Sequence, residues 1–215
     1  YKYGCFSYSV NADLFTMVKK ENLIEDEDNY IINKKGQYFN ALKEQDRKIL
    51  LEVKNLYGKL STNALIKHTY VNYPYWASNS LIARDILTEE QLQKVQSYRI
   101  NDDQIILYTI GYEGISLEEY LNRLIKNGVK VLVDVRKNPL SMKYGFSKTL
   151  LKKICENLGI NYIHLPEVGI DSSKRQTLNN QDDYDILFDG YRENLVGMLP
   201  TQNKILSLLL ENKRI

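Results

Sequence analysis

With 215 residues and 43% hydrophobic content, the chain is long enough to build one large domain or two modest ones, each with a real core. Its formal net charge of +2 comes from 29 basic and 27 acidic residues that are evenly mixed, so charge alone marks it neither as a nucleic-acid binder nor as a membrane-surface protein. Cys5 and Cys155 are far apart and lack metal-ligand spacing, which excludes a disulfide scaffold, predicts no metal centre, and suits a reducing, cytoplasmic setting. No signal peptide and no membrane-spanning run is legible. The sequence opens on Tyr1 rather than Met and stops at Lys213-Arg214-Ile215, where another strand is expected, so both ends read as cut and the carboxyl-terminal domain as incomplete.

The predicted elements begin with a helix from Asn11 to Lys20, capped by Asn11, with Leu14, Met17 and Val18 inward. Leu23-Ile24 and Tyr30-Ile31-Ile32 flank the acidic turn Glu25 to Asn29 and read as a hairpin. A helix followed by a hairpin suggests a winged helix. A longer helix carries Leu42, Ile49, Leu50, Val53, Leu56 and Tyr57 until Gly58 stops it. Another starts at Ser61 or Thr62 and closes or bends at Pro74. Thr88 and Gln91 form a capping box for the last helix of this half. The polar Asn101-Asp102-Asp103 is the expected boundary between residues 1–103, mainly helical and winged-helix-like, and residues 104–215. The cluster Tyr70, Tyr73, Tyr75 and Trp76 either packs the domain or stacks on bases, and packing is favoured because few cations stand nearby. Lys19-Lys20 and Lys34-Lys35 read as solvated faces, although a wing carrying Lys34-Lys35 is well placed for a DNA backbone.

Tyr3-Gly4-Cys5-Phe6-Ser7 and Leu23-Ile24 resemble, over some thirty residues, the phage-associated antitoxin domain called Panacea, with Cys5 in place of its proline. That resemblance implies an interaction role, and a protein partner, for the first half.

The second half opens on a β-α-β unit. Ile105 to Ile110 reads as a strand ending at Gly111, and Ser116 with Glu119 as a capping box for a helix bearing Leu117, Tyr120, Leu121, Leu124 and Ile125. Gly128 stops that helix, and Val129 to Val135 forms a strand that delivers Asp134 and Arg136 to its carboxyl end. A helix from Ser147 to Leu158 and a strand from Asn161 to Leu165 follow, with Pro166 ending the strand. This order predicts a three-layer α/β domain with a parallel sheet, whose ligands bind beyond the carboxyl ends of its strands.

Three loops end there, carrying Gly111 and Tyr112, then Arg136 and Ser141, then Glu167 and Gly169. Asp134 and Arg136 share a face of their strand, so they either pair with each other or form a site in which Arg136 holds an anion while Asp134 or Glu167 moves a proton. His164, on a face with Tyr162, is either a proton-transfer group or a satisfied core imidazole. Ser141 reads as a turn former or nucleophile, and Cys155 as a quiet packing residue. Lys143, Lys174, Arg175 and Arg192 add charge if their loops fold inward. Gly111-x-x-Gly114 lacks the full dinucleotide fingerprint, so no cofactor is implied.

Thr109-Ile110-Gly111-Tyr112, Leu132-Val133-Asp134-Val135-Arg136 with Pro139 and Ser141, and Tyr162 through Gly169 are together similar to the bacterial and archaeal domain-of-unknown-function family numbered 488. Members commonly carry His at the position of Tyr112. The Asp-x-Arg strand end is also similar to rhodaneses, whose loop cysteine has no counterpart here. From residues and resemblance together, the leading expectation is an enzyme-like domain that acts on a phosphate-bearing substrate, small molecule or nucleic acid. The alternative is a non-catalytic DNA-binding or antitoxin-like regulator.

Overall fold

The computed structural model describes residues 6–27, 29–33, 36–100, 103–175 and 178–215, together with the backbone but not the side chains of Ser172 and Arg175. The expectations placed on Tyr3 to Cys5, on Lys34-Lys35 and on Asn101-Asp102 lie outside the described residues. The chain forms two compact units, residues 1–99 and 100–215. No helix among the described residues is long and apolar enough to cross a membrane.

In the first unit, helix α1 spans Tyr8–Lys19 and is capped by the Ser7 hydroxyl, which accepts from the Val10 amide. The helix therefore starts earlier than Asn11, the residue expected to cap it. Strands β1 (Leu23–Asp26) and β2 (Asn29–Ile32) pair antiparallel as the expected hairpin. The winged helix is not confirmed beyond this order. The next predicted helix is two: α2 (Tyr38–Ala41) and α3 (Glu44–Tyr57), because the chain is extended at Leu42 and Lys43. Ser61 caps α4 (Thr62–Asn72), and Pro74 opens the short α5 (Pro74–Ala77), where its fixed φ and missing N–H suit the first turn. α6 (Ala83–Ile86) precedes α7 (Glu89–Gln96), which starts at the reciprocal Thr88–Gln91 box read from sequence. The core of this unit is Tyr70, Ala77, Ala83, Leu87 and Val95, and the Tyr70 hydroxyl is satisfied at 2.7 Å by Ser80. Of the aromatic cluster, Tyr70 is thus core, while Tyr73 is exposed.

In the second unit, α8 (Leu117–Lys126) buries Leu117, Tyr120, Leu121 and Leu124. Its box is half formed: the Ser116 hydroxyl accepts from the Glu119 amide, but the Glu119 carboxylate binds Arg123 one turn on. Gly128 follows at φ +64 and releases the chain into β3 (Val131–Asp134). α9 (Lys148–Asn157) ends before Gly159 at φ +75, and β4 (Asn161–His164) pairs with β3 in parallel. α10 (Gln181–Leu195) and α11 (Leu199–Asn212) follow.

After α11 the chain turns at Lys213, φ +66, and Lys213 to Ile215 slots between two other segments. Ile106 and Tyr108 donate to the Lys213 and Ile215 carbonyls at 2.7 and 2.8 Å, and Lys130 donates to the Arg214 carbonyl at 2.9 Å. Buried Arg214 donates to the Tyr108 hydroxyl and the Asn127 carbonyl. The expected strand Ile105–Ile110 is consequently present only as the isolated bridge Ile106↔Arg214. A strand is defined by its ladder, and one bridge is not a ladder. The three-layer parallel sheet is not confirmed beyond β3, β4 and this bridge; what stands is a mixed helix and strand unit.

Candidate functional site

The register pairs Leu132 with Tyr162 and Asp134 with His164. Side chains alternate along a strand, so Asp134, Arg136, Tyr162 and His164 share one face. There Arg136 grips Asp134 with a two-pronged fork, Nε to Oδ1 at 2.8 Å and Nη2 to Oδ2 at 2.6 Å. The Arg136 amide donates to the same Oδ1, and Tyr162 donates its phenol proton to Oδ2. Asp134 is 5% exposed and Arg136 20%, so this pair is mostly out of water. Burial by itself pushes the Asp134 carboxyl up, but hydrogen bonds from Arg136 and Tyr162 and the Arg136 charge outweigh it and hold the carboxyl below its ordinary value. The Asp134 hydrogen bond raises Arg136 further, against burial, and burial followed by the Asp134 hydrogen bond raises the Tyr162 phenol.

Around this pair stand groups that no motif announced. Arg136 also donates Nη1 to the Phe146 carbonyl at 2.8 Å, and its guanidinium carbon lies 5.3 Å from the centre of the Tyr112 ring. Tyr112 stacks on buried Phe146 at 4.7 Å, and Tyr120 meets Phe146 edge-on at 5.2 Å. Burial also raises the Tyr120 phenol. Lys143 donates to the Tyr112 carbonyl at 2.8 Å and to that of Ile115, tying the Gly111 to Gly114 loop to the loop after Arg136. His164 Nε2 lies 2.8 Å from the Arg136 carbonyl, which can only accept, so Nε2 carries a proton; Nδ1 then accepts from Lys148 at 2.9 Å.

The site residues expected from sequence fall into three groups. Tyr112, Asp134, Arg136 and His164 meet in this network. Gly111 opens the first loop with free space around its Cα, and Gly169 stands where an added Cβ would come within 2.1 Å of the Val135 carbonyl oxygen, so glycine lets the third loop close on the second. Ser141 takes the turn-forming option, its hydroxyl accepting from the Lys143 amide at 3.1 Å. Glu167 is exposed on the single turn Pro166–Val168 and is outside the network. The Arg175 side chain lies outside the described part, and Arg192 pairs instead with Asp189 on α10.

Lys137 and Lys174 stand near Asp171, whose carboxyl is held low chiefly by the Ser173 amide and hydroxyl, with the two lysines adding to it. Phe146, Lys148 and Tyr162 were missed as site residues. The period-two alternation of β4 could have nominated Tyr162, whereas Phe146 and Lys148 arrive through a loop path that no local pattern encodes.

Tyr112, Tyr120, Asp134, Arg136 and Phe146 of this network form one wall of a cavity of about 610 Å³, lined also by Leu107 to Gly111, Val129, Val131 to Val133 and Ile215. That volume is in the range of a small-ligand pocket. Among the described residues no three His, Cys, Asp or Glu side chains gather as a metal site would require.

Residues 116–214 match the family model described as Domain of unknown function DUF488. The match takes in the Asp134 and Arg136 strand end and the Tyr162 to Gly169 segment, while Gly111 and Tyr112 precede it. No curated protein and no solved structure matches the chain.

Proposed function

We propose that residues 100–215 form an enzyme-like α/β unit that takes a phosphate-bearing substrate, either a small molecule or the phosphates of a nucleic acid, at the mouth beyond β3 and β4. The observation that carries this reading is the pre-set Arg136, whose fork is held by Asp134 and the Phe146 carbonyl and backed by the Tyr112 ring. A guanidinium fixed in advance loses little conformational freedom when an anion docks. Because Asp134 neutralises Arg136, the excess positive charge comes from Lys137, Lys143 and Lys148 in the same loop and the first turn of α9.

In this reading Asp134 is a positioning residue: its carboxyl is held ionised and both oxygens are engaged. His164 is the better-placed proton carrier, since its ring bridges the Arg136 carbonyl and Lys148 on the same face as Asp134. Exposed Glu167 is the second candidate. Backbone at Gly111 and Gly169, with the Tyr112 and Ser141 side chains, would complete the binding surface.

The test is the thermal stability of the full chain against nucleotides, phosphosugars and short DNA and RNA, since a ligand that binds the native state raises the melting temperature. Arg136→Ala alone would strand the buried Asp134 charge, so the informative variant is the double Asp134→Asn, Arg136→Gln. Loss of the shift in a folded double variant supports the site; an undiminished shift removes it. A regulatory reading is favoured by one feature, the helix-then-hairpin order of α1, β1 and β2. A shift with duplex DNA that survives the double variant and collapses with salt would move the function to the first unit.

A further inference from the structure

The net charge of +2 conceals one strongly basic stretch. Residues 135–155 hold Arg136, Lys137, Lys143, Lys148, Lys152 and Lys153 and no acidic residue, an excess that the acidic helix α10 largely offsets in the total. Several of these cations are already engaged. Arg136 is paired with Asp134, Lys143 donates to the Tyr112 and Ile115 carbonyls, and Lys137 stands near Asp171. Lys148, Lys152 and Lys153 stand on the exposed face of α9. Lys148 donates to His164, which leaves its charge in place, and Lys152 meets Glu156 only at 3.8 Å with both side chains half exposed, a pairing that contributes little.

These three lysines lead away from the mouth. Lys148 is at its rim beside His164, Lys152 follows one helical turn on, and Lys153 lies about 7.5 Å along the axis from Lys148. A small phosphate compound would meet only the first of them. A chain of phosphates would meet all three, since one helical turn is close to the step between successive phosphates of an extended strand.

The loop before α9 adds apolar surface to the charge. The Leu140 amide donates to the Asn138 side chain at 3.3 Å, the Lys143 amide to the Ser141 hydroxyl at 3.1 Å, and the Lys148 amide to the Pro139 carbonyl at 3.0 Å. The last bond sets Leu140 next to the first turn of α9. Pinned in this way, the loop turns Ser141 and Lys143 inward and holds Leu140 76% exposed, Met142 fully exposed and Tyr144 45% exposed. Lysines beside exposed apolar and aromatic side chains suit a single strand of nucleic acid, whose bases, unlike those of a duplex, present open flat faces. An anionic bilayer matches the charge as well, but stable attachment there needs more apolar area than one loop tip offers.

We propose that the mouth and the exposed face of α9 together bind a single strand of nucleic acid, with phosphates on Lys148, Lys152 and Lys153 and bases against Leu140, Met142 and Tyr144. This rests on the reading of the mouth as a phosphate site and narrows its substrate to a polymer.

Fluorescence anisotropy of the full chain with a labelled oligothymidylate of about 15 nucleotides, across a salt series, tests it. The pair Lys152→Gln, Lys153→Gln is expected to weaken binding and to make the slope of log K against log salt shallower by about 1.4. The pair Leu140→Ser, Met142→Ser should weaken binding about tenfold at an unchanged slope. All four side chains are exposed, so neither pair disturbs the fold. A duplex of the same length should bind more weakly than the single strand. The proposal is overturned by absent oligonucleotide binding, by binding that neither pair weakens, or by capture on phosphatidylglycerol vesicles in place of the oligonucleotide. The two readings fail separately. A small phosphate compound whose melting shift is lost in Asp134→Asn, Arg136→Gln, with no oligonucleotide bound, leaves the mouth and removes the strip; oligonucleotide binding weakened by the lysine pair and untouched by that double variant leaves the strip and removes the mouth.

Discussion

Asp134 is the residue on which the second unit most depends, because its buried charge is compensated from three directions. Breaking a buried pair by removing one partner typically costs about 3–5 kcal/mol, since the survivor is left uncompensated. Asp134→Asn is expected to approach that range in denaturant melts, with Arg136 stranded, while Tyr162→Phe should cost about 1–3 kcal/mol for one lost hydrogen bond to a charged group. The pH dependence has a definite sign. A carboxyl held below its unfolded value of about 3.9 contributes stability that is fully present above that value and lost as the pH falls through the folded one. The wild-type protein should therefore lose stability on acidification below about pH 4 more steeply than Asp134→Asn does, and parallel curves would show that the pair contributes nothing. Cys155 makes the opposite kind of prediction. It is fully buried, and burial, with smaller contributions from Glu156 and Asp134, pushes its thiol up to about 12. In a Cys5→Ser chain a thiol reagent at pH 8 should modify Cys155 only at the rate of unfolding, and rapid labelling of that native chain would contradict the quiet packing role of Cys155.

Elements and their joints show where sequence reasoning reached and where it stopped. Local signals were read well: the Thr88 and Gln91 box, the left-handed stops at Gly128 and Gly159, and the pairing option for Asp134 and Arg136 all depend on residues within a turn of each other. Glu119 had the right spacing for its box, yet Arg123 offered its carboxylate a charged partner one turn away, and the stronger hydrogen bond won. The strand Ile105–Ile110 was legible as an apolar run, but a strand needs a neighbour, and its neighbour lies more than a hundred residues away. Phe146 and Lys148 were illegible for the same reason. The joint between the second and third loops gives a sharp test: in Gly169→Ala the new methyl would press on the Val135 carbonyl oxygen and on the Lys137 amide nitrogen, 2.9 Å away, and backbone cannot rotate aside as a side chain can. A loss of about 1–3 kcal/mol is expected, with ligand-induced stabilisation weakened in step. At Gly145, φ +87 and the nearby Leu117 side chain combine strain with a clash, so Gly145→Ala should also destabilise.

Across the whole molecule, stability is unevenly distributed. None of the described residues of α1, β1, β2, α2 and α3 is fully buried, and Phe15, Ile32, Ile49 and Leu56 are each at least half exposed. α4 to α7, by contrast, close on Tyr70, and Arg99 is tied back to the Ser78 carbonyl at 2.7 Å. Local opening follows the density of buried contacts. Amides of α1 and α3 should therefore exchange well before those of α4 and α7, and limited proteolysis of the full chain should nick residues 8–57 first; uniform protection across the first unit would refute this.

The bond from Arg214 to Tyr108 joins positions 106 apart, and it bears on time rather than on stability. On a ribosome the chain emerges from its amino end at roughly 5–20 residues per second, so Ile106 and Tyr108 wait for several seconds before Lys213 to Ile215 can slide between them and Lys130. The two segments that Lys213 to Ile215 joins are thus made well before it. Long-range parallel pairing is also intrinsically slow, and until it forms two apolar edges remain open to other chains. A cell making this protein has most reason to keep a chaperone at hand in that interval.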